Sequence, residues 1–290
     1  MEPFPRRRIL GRLRLTVLVC LLLSVPFLWQ ARAPIVAPVV WILGTGYFLG
    51  LFLPRYLRRR RLARIPLSDA DREILERRVS FYAALSDADR AEYGTDVAIF
   101  LAEHRIEGVD GVEVTREVRL LVAASAVRLV FRRPDWEYGD FGTILIYPGG
   151  FRTDGTYSTD IAGESDPAIG LVHSGGNVIL SLPHLQSAFR TGNDGLNVGY
   201  HEFAHVLDGT GPDGIPDALD LGAYRPWVEV MQREFEKVHK GRSLLRSYAG
   251  TDPAEFFACA VEAFFEQPDK VREKAPDLYA QLSRFFNQRP

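Results

Sequence analysis

Two histidines four residues apart, in His201-Glu202-Phe203-Ala204-His205, restrict what this chain can fold into more than any other feature. At about 3.6 residues per turn, positions i and i+4 share one helical face, so on a helix both imidazoles can reach one ion. Glu202 follows the first histidine and is angled towards water beside that ion rather than towards the ion itself. A carboxylate so placed can take a proton as water attacks a peptide carbonyl. Phe203, Ala204, Val206 and Leu207 are apolar and Gly209 terminates the run, so the helix is expected to pack firmly while presenting His201 and His205 to a cleft. Imidazole and carboxylate ligands point to Zn2+.

A catalytic zinc takes three protein ligands and keeps a fourth position open. Neither His184 nor His239 stands at a short spacing after His205. Asp208, one turn beyond His205, could ligate but reads better as orienting a ligand imidazole. A better source is the helix expected from Thr251-Asp252-Pro253-Ala254-Glu255 through Phe265, nearly apolar but for Glu255 and Glu262. Acids on such a surface need a metal or a hydrogen-bond donor. With Asp252 as N-cap and Pro253 at N1, Glu255 also suits a capping-box carboxylate. Spacing alone does not choose between Glu255 and Glu262. His104, His173, His184 and His239 read as surface or cap residues, with His173 and His184 nearest to a strand that could flank the cleft.

The 35 basic and 37 acidic residues leave a net charge of −2, which gives no reason to expect nucleic acid. The charges are uneven. Arginines dominate the first 64 residues, around two apolar runs at about 11–29 and 34–53. A run near 20 residues can cross about 30 Å of hydrocarbon. Arginine clusters outside both runs favour a membrane hairpin with both ends cytoplasmic, the alternative being a cleaved signal and one span. Residues 1–64 are therefore expected to be a membrane anchor and 65–290 one domain at the inner membrane's cytoplasmic face. Cys20 and Cys259 are too far apart in pattern to imply a disulfide framework. Helices are expected after Ser68 or Asp69, over Asp87 to Ala102 and over Thr115 to Leu129. Strands are expected over Thr143 to Tyr147 and Val178 to Leu182, with a surface loop from Thr153 to Asp166.

At Leu145-Ile146-Tyr147-Pro148-Gly149, at His201 to His205 with Leu207-Asp208, and at Ser247-Tyr248-Ala249 with Thr251-Asp252-Pro253-Ala254-Glu255, the chain resembles the bacterial Mlc titration factor A peptidases. The resemblance extends thinly from about Leu67 to Pro290. It implies an α+β, zincin-like fold: a mixed sheet, the HExxH helix and a C-terminal helical part, here preceded by two transmembrane helices. It makes His201, His205 and Glu255 the zinc ligands, Glu202 the general base and Tyr248 a donor to the oxyanion, leaving Glu262 a supporting role. It also implies peptidase activity, including aminopeptidase-like cleavage, and a transcriptional regulator as partner. Val178 to Leu182 would border the cleft and pair with a peptide substrate. The expected function is thus zinc-dependent peptide hydrolysis at the membrane, on a peptide or protein substrate, with the lipid bilayer engaged by the hairpin. The competing reading is a non-catalytic, zinc-containing regulatory binding module.

Overall fold

The computed structural model describes residues 17–21, 36–133, 138, 141–151, 157–158, 170–172, 176–209 and 221–290. The chain divides into two compact units, with a boundary between Pro66 and Leu67.

The described part of the first unit is mainly helix α1 (Val36–Leu62), which contains Pro54 and carries Arg59, Arg60 and Arg61 in its last turn. Among the described residues, no helix is long and apolar enough to cross a membrane. The expected spans at about 11–29 and 34–53 are thus unsupported, and with them the bilayer as a partner and the inner-membrane location. Of the first run only residues 17–21 are described. The second was expected to stop before Pro54, but the helix passes through that proline into the arginine cluster. Arginine is a good helix former, so the charge cluster extends the helix instead of ending it.

The second unit opens on two serine-capped helices. Ser68 Oγ accepts the Asp71 N–H at 3.1 Å to start α2 (Asp69–Arg78), and extended Val79 separates it from the short α3 (Ser80–Ala83). Ser86 caps α4 (Asp87–Glu103), strand β1 (Ile106–Gly108) follows, and Thr115 caps α5 (Arg116–Val130). Then come β2 (Ile144–Tyr147), β3 (Gly150–Phe151), β4 (Tyr157–Ser158), β5 (Gly170–Val172) and β6 (Val178–Ser181). The rest is helical: α6 (Leu182–Thr191), α7 (Val198–Asp208), α8 (Leu221–His239), a 3-10 turn (Ser247–Gly250), α9 (Pro253–Glu266), α10 (Pro268–Lys274) and α11 (Pro276–Phe286). Most of the loop expected at Thr153 to Asp166 lies outside the described residues.

The main sheet has strand order β1-β2-β6-β5, with β1–β2 and β2–β6 parallel and β6–β5 antiparallel. It is mixed, as expected. Val178–Ser181 is not an edge: β5 pairs Gly170 with Leu180, Leu171 with Ile179 and Val172 with Val178. Its backbone hydrogen bonds on both sides are therefore taken, so a peptide cannot add to it. Only three residues long, β5 gives too little alternation to be read from sequence.

Helix α7 is held between two buried helices, α5 and α9. Its approach to α5 depends on Gly199. A Cβ there would collide with Ser125 Oγ and lie 2.6 Å from Ser125 Cβ. The Ser125 hydroxyl is already committed to the Leu121 carbonyl at 3.0 Å, and its Cβ is fixed to a buried helix. Gly199→Ala would gain up to about 1 kcal/mol of helix propensity, but forced overpacking costs about 1–3 kcal/mol. A lower melting temperature is expected, by a few degrees in a chain of this size. Thermal denaturation checks it, and an unchanged or raised midpoint would show that the helices separate freely.

Candidate active site

Helix α7 begins where Asn197 Oδ1 accepts the Tyr200 N–H at 3.1 Å. It ends at Gly209, whose φ of 84° suits a residue without Cβ and whose N–H reaches the His205 carbonyl. Between these caps, His201 and Glu202 are buried and His205 is partly exposed. On α9 the first turn is capped by Asp252, whose Oδ1 accepts the Glu255 N–H at 2.9 Å. The Glu255 carboxylate points elsewhere. Its Oε2 lies 3.0 Å from His201 Nε2 and its Oε1 3.5 Å from His205 Nε2, while the two Nε2 atoms are 3.3 Å apart. The capping role that made Glu255 ambiguous in sequence is thus met by Asp252 together with the Glu255 backbone.

Glu262 lies behind the first histidine, its Oε1 2.6 Å from His201 Nδ1. Glu255, Cys259 and Glu262 occupy one face of α9 at i, i+4 and i+7, and the His201 ring lies along that face. Burial opposes a charge on His201, but the Glu262 carboxylate and the hydrogen bonds the ring donates to Cys259, Glu255 and Glu262 outweigh it and hold the pKa well above the usual value. For Glu255, burial would raise the pKa, and hydrogen bonds to His201 and His205 pull it below the ordinary carboxylate range instead. The pocket therefore favours positive charge between Glu255 and the two imidazoles.

The donor set suits a metal there. Ligands about 2.0–2.1 Å from a tetrahedral zinc stand about 3.3–3.4 Å from one another. The two Nε2 atoms, 3.3 Å apart, match that spacing, and the Glu255 carboxylate meets them through both oxygens, Oε2 at 3.0 Å from His201 and Oε1 at 3.5 Å from His205. Carboxylate and imidazole lone pairs turned on one point are mutually repulsive unless a cation or a proton lies among them. A second group, His201, Cys259 and Glu262, is also close enough to hold an ion. It already contains a cation, since Arg246 donates from Nη2 to Glu262 Oε1 at 2.7 Å and from Nε to Cys259 Sγ at 3.3 Å.

Glu202 has the chemistry of a proton acceptor. Burial above all, only partly offset by His201 and His205, raises its pKa to about 7. Its buried Oε2 has no hydrogen-bond partner among the described residues. Tyr248 sits on the 3-10 turn with its ring centroid 6.1 Å from that of His201. Burial, then the charge of Glu255, raises its pKa, so the phenol keeps its proton. Asp208 is buried at the end of α7. The other histidines lie elsewhere: His104 stacks on Phe141, His184 Nδ1 meets Ser181 Oγ at 2.7 Å and His239 packs on Phe235. His173 lies outside the described residues. Sequence reasoning missed Arg246 and Asn197. Asn197 could have been found as an Asn cap before an apolar run, but no local pattern marks Arg246.

The family described as "Glucose-regulated metallo-peptidase M90" matches residues 54–287. An uncharacterized protein of Synechocystis sp. is 31% identical over 251 residues, which cover 80% of this chain and 89% of the relative. Proteins named Mlc titration factor A are similar at 30% identity: that of Serratia proteamaculans over 66% of this chain and 76% of its own, that of Klebsiella pneumoniae over 72% and 82%. These relatives are bacterial, which bears out the bacterial part of the expected location. With most of its length matched, the chain belongs to the glucose-regulated metallo-peptidase M90 family.

Proposed function

We propose that this chain is a zinc-dependent peptidase of the HExxH-plus-glutamate type, in which His201, His205 and Glu255 hold the metal, Glu202 is the general base and Tyr248 assists as a hydrogen-bond donor. The observation that carries the reading is the convergence of the two Nε2 atoms, 3.3 Å apart, on the Glu255 carboxylate, whose Oε2 lies 3.0 Å from His201 and whose Oε1 lies 3.5 Å from His205. Family membership implies a metal ion and a peptide or protein substrate. Zinc bound there would lower the pKa of water towards neutrality and polarise the scissile carbonyl.

The protein's own groups do the rest. Glu202, with a pKa raised to about 7, takes a proton from the attacking water and returns it to the leaving amine. Its buried surroundings strengthen that interaction by excluding solvent. Tyr248, protonated and beside Glu255, donates towards the oxygen that gains charge as the carbonyl becomes tetrahedral. Aminopeptidase-like cleavage is part of the proposal on the strength of the resemblance. So is a regulatory protein partner, for which the support is the name Mlc titration factor A carried by the relatives.

Metal analysis of the full chain, beside hydrolysis of peptides with free and blocked N-termini, tests the reading. About one zinc per chain is expected, with cleavage abolished by chelation and restored by zinc. Folded protein that takes up no zinc would overturn it. Bound zinc with no cleavage of either peptide class would favour the regulatory binding module.

A further inference from the structure

We propose that Arg246 and Glu262 form a positioning pair behind His201, fixing its tautomer and tying that imidazole to the turn that carries Tyr248. The inference rests on the metal reading above and adds residues that do not touch the metal or the substrate.

The hydrogen bonds at Glu262 leave little freedom. Its side chain is fully buried. Oε2 accepts the Asn197 N–H at 2.7 Å and Oε1 accepts from Arg246 Nη2 at 2.7 Å. A backbone N–H and a guanidinium N–H can only donate, so both carboxylate oxygens act as acceptors. His201 Nδ1 lies 2.6 Å from the acceptor Oε1 and 3.4 Å from the donor Arg246 Nη2, and the much shorter contact places the hydrogen on Nδ1. The Nδ1–H tautomer leaves the lone pair on Nε2, the atom that faces Glu255 and His205. Partners of this kind on the far ring nitrogen orient metal-ligating histidines and raise their basicity.

Arg246 extends the arrangement to other elements. Its planar fork bridges Glu262 and Cys259, one turn apart on α9, from two separate nitrogens held in a fixed geometry. The guanidinium carbon lies 5.2 Å from the Tyr248 ring centroid, and Arg246 is the residue from which the Ser247–Gly250 turn starts. Glu262 in turn holds the backbone of Asn197, the cap of α7. One pair of side chains thereby links the helix bearing His201 and His205, the helix bearing Glu255 and the turn bearing Tyr248.

The test measures zinc Kd by competition with a chromophoric chelator, and records imidazole 15N shifts of the zinc-loaded, histidine-labelled full chain. Glu262→Gln keeps the shape, but either amide orientation turns an NH2 group on a donor-only partner. Zinc Kd is expected to rise about 10–100-fold, and His201 to lose the shifts of an Nδ1–H, Nε2-metallated ring. Arg246→Met should weaken zinc in the same sense. Arg246→Lys, with one N–H still able to reach Glu262, should recover part of the loss, which a general packing defect would not predict. Should Glu262→Gln fail to fold, the two Arg246 variants carry the test, because that side chain is 27% exposed. Unchanged Kd and unchanged His201 shifts in the folded variants would overturn the positioning pair while leaving the peptidase reading intact. A wild-type chain whose His201 signals do not respond to zinc would overturn both.

Discussion

Glu202→Gln should retain zinc yet lose peptide hydrolysis by at least about a hundredfold, within the range of about 10²–10⁴ that a positioned general base contributes. The substitution removes the proton-accepting oxygen and changes side-chain volume little. None of the three proposed ligand atoms belongs to Glu202, so metal content should stay near that of the wild type. The loss should appear in kcat as well as kcat/KM, because proton transfer is an interaction of the transition state. Metal analysis and steady-state kinetics on the same preparation check both halves. Wild-type turnover in a zinc-loaded Glu202→Gln chain would remove Glu202 from the mechanism.

Glu255→Ala is expected to act one step earlier, on the metal itself. The carboxylate is the anionic corner of the proposed ligand triangle, 3.0 Å from one Nε2 and 3.5 Å from the other. Its removal leaves two imidazoles to hold the ion. The zinc Kd should rise by more than the roughly 10–100-fold typical of partners outside the ligand set, and activity at limiting zinc should fall with occupancy. Equilibrium dialysis with metal analysis measures this directly. Asp252 still caps α9, so the helix should survive the substitution. Near-stoichiometric zinc in Glu255→Ala at concentrations that just saturate the wild type would sink its assignment as a ligand. If Glu262→Gln alone then lost zinc, the assignment would move to Glu262.

The sequence made several elements legible because their signals are local. Ser68 and Asp252 accept N–H groups three residues ahead, and each opens a helix. Thr115 similarly starts α5, within a residue of the expected boundary. The β2 and β6 strands were visible as short β-branched and aliphatic runs next to glycines or prolines. By contrast, the single helix expected after Ser68 or Asp69 is two, separated by extended Val79. The apolar stretch before Pro54 has the sequence of a bounded span, whereas α1 runs past that proline through the arginines, because helical continuity does not follow the edge of a hydrophobic run.

The local sequence by itself determined that His201 and His205 would face one point, since a helix places i and i+4 on one side regardless of its surroundings. It also determined that Glu255 and Glu262 would share the face of another helix. Which glutamate meets Nε2 and which meets Nδ1 was decided only in the tertiary structure. The answer depends on how α9 crosses α7, and spacing within one helix carries no information about the position of its neighbour. The same holds for Arg246, brought from a separate segment to bridge Cys259 and Glu262. The strand that occupies the edge of β6 is another case, because pairing is a relation between segments.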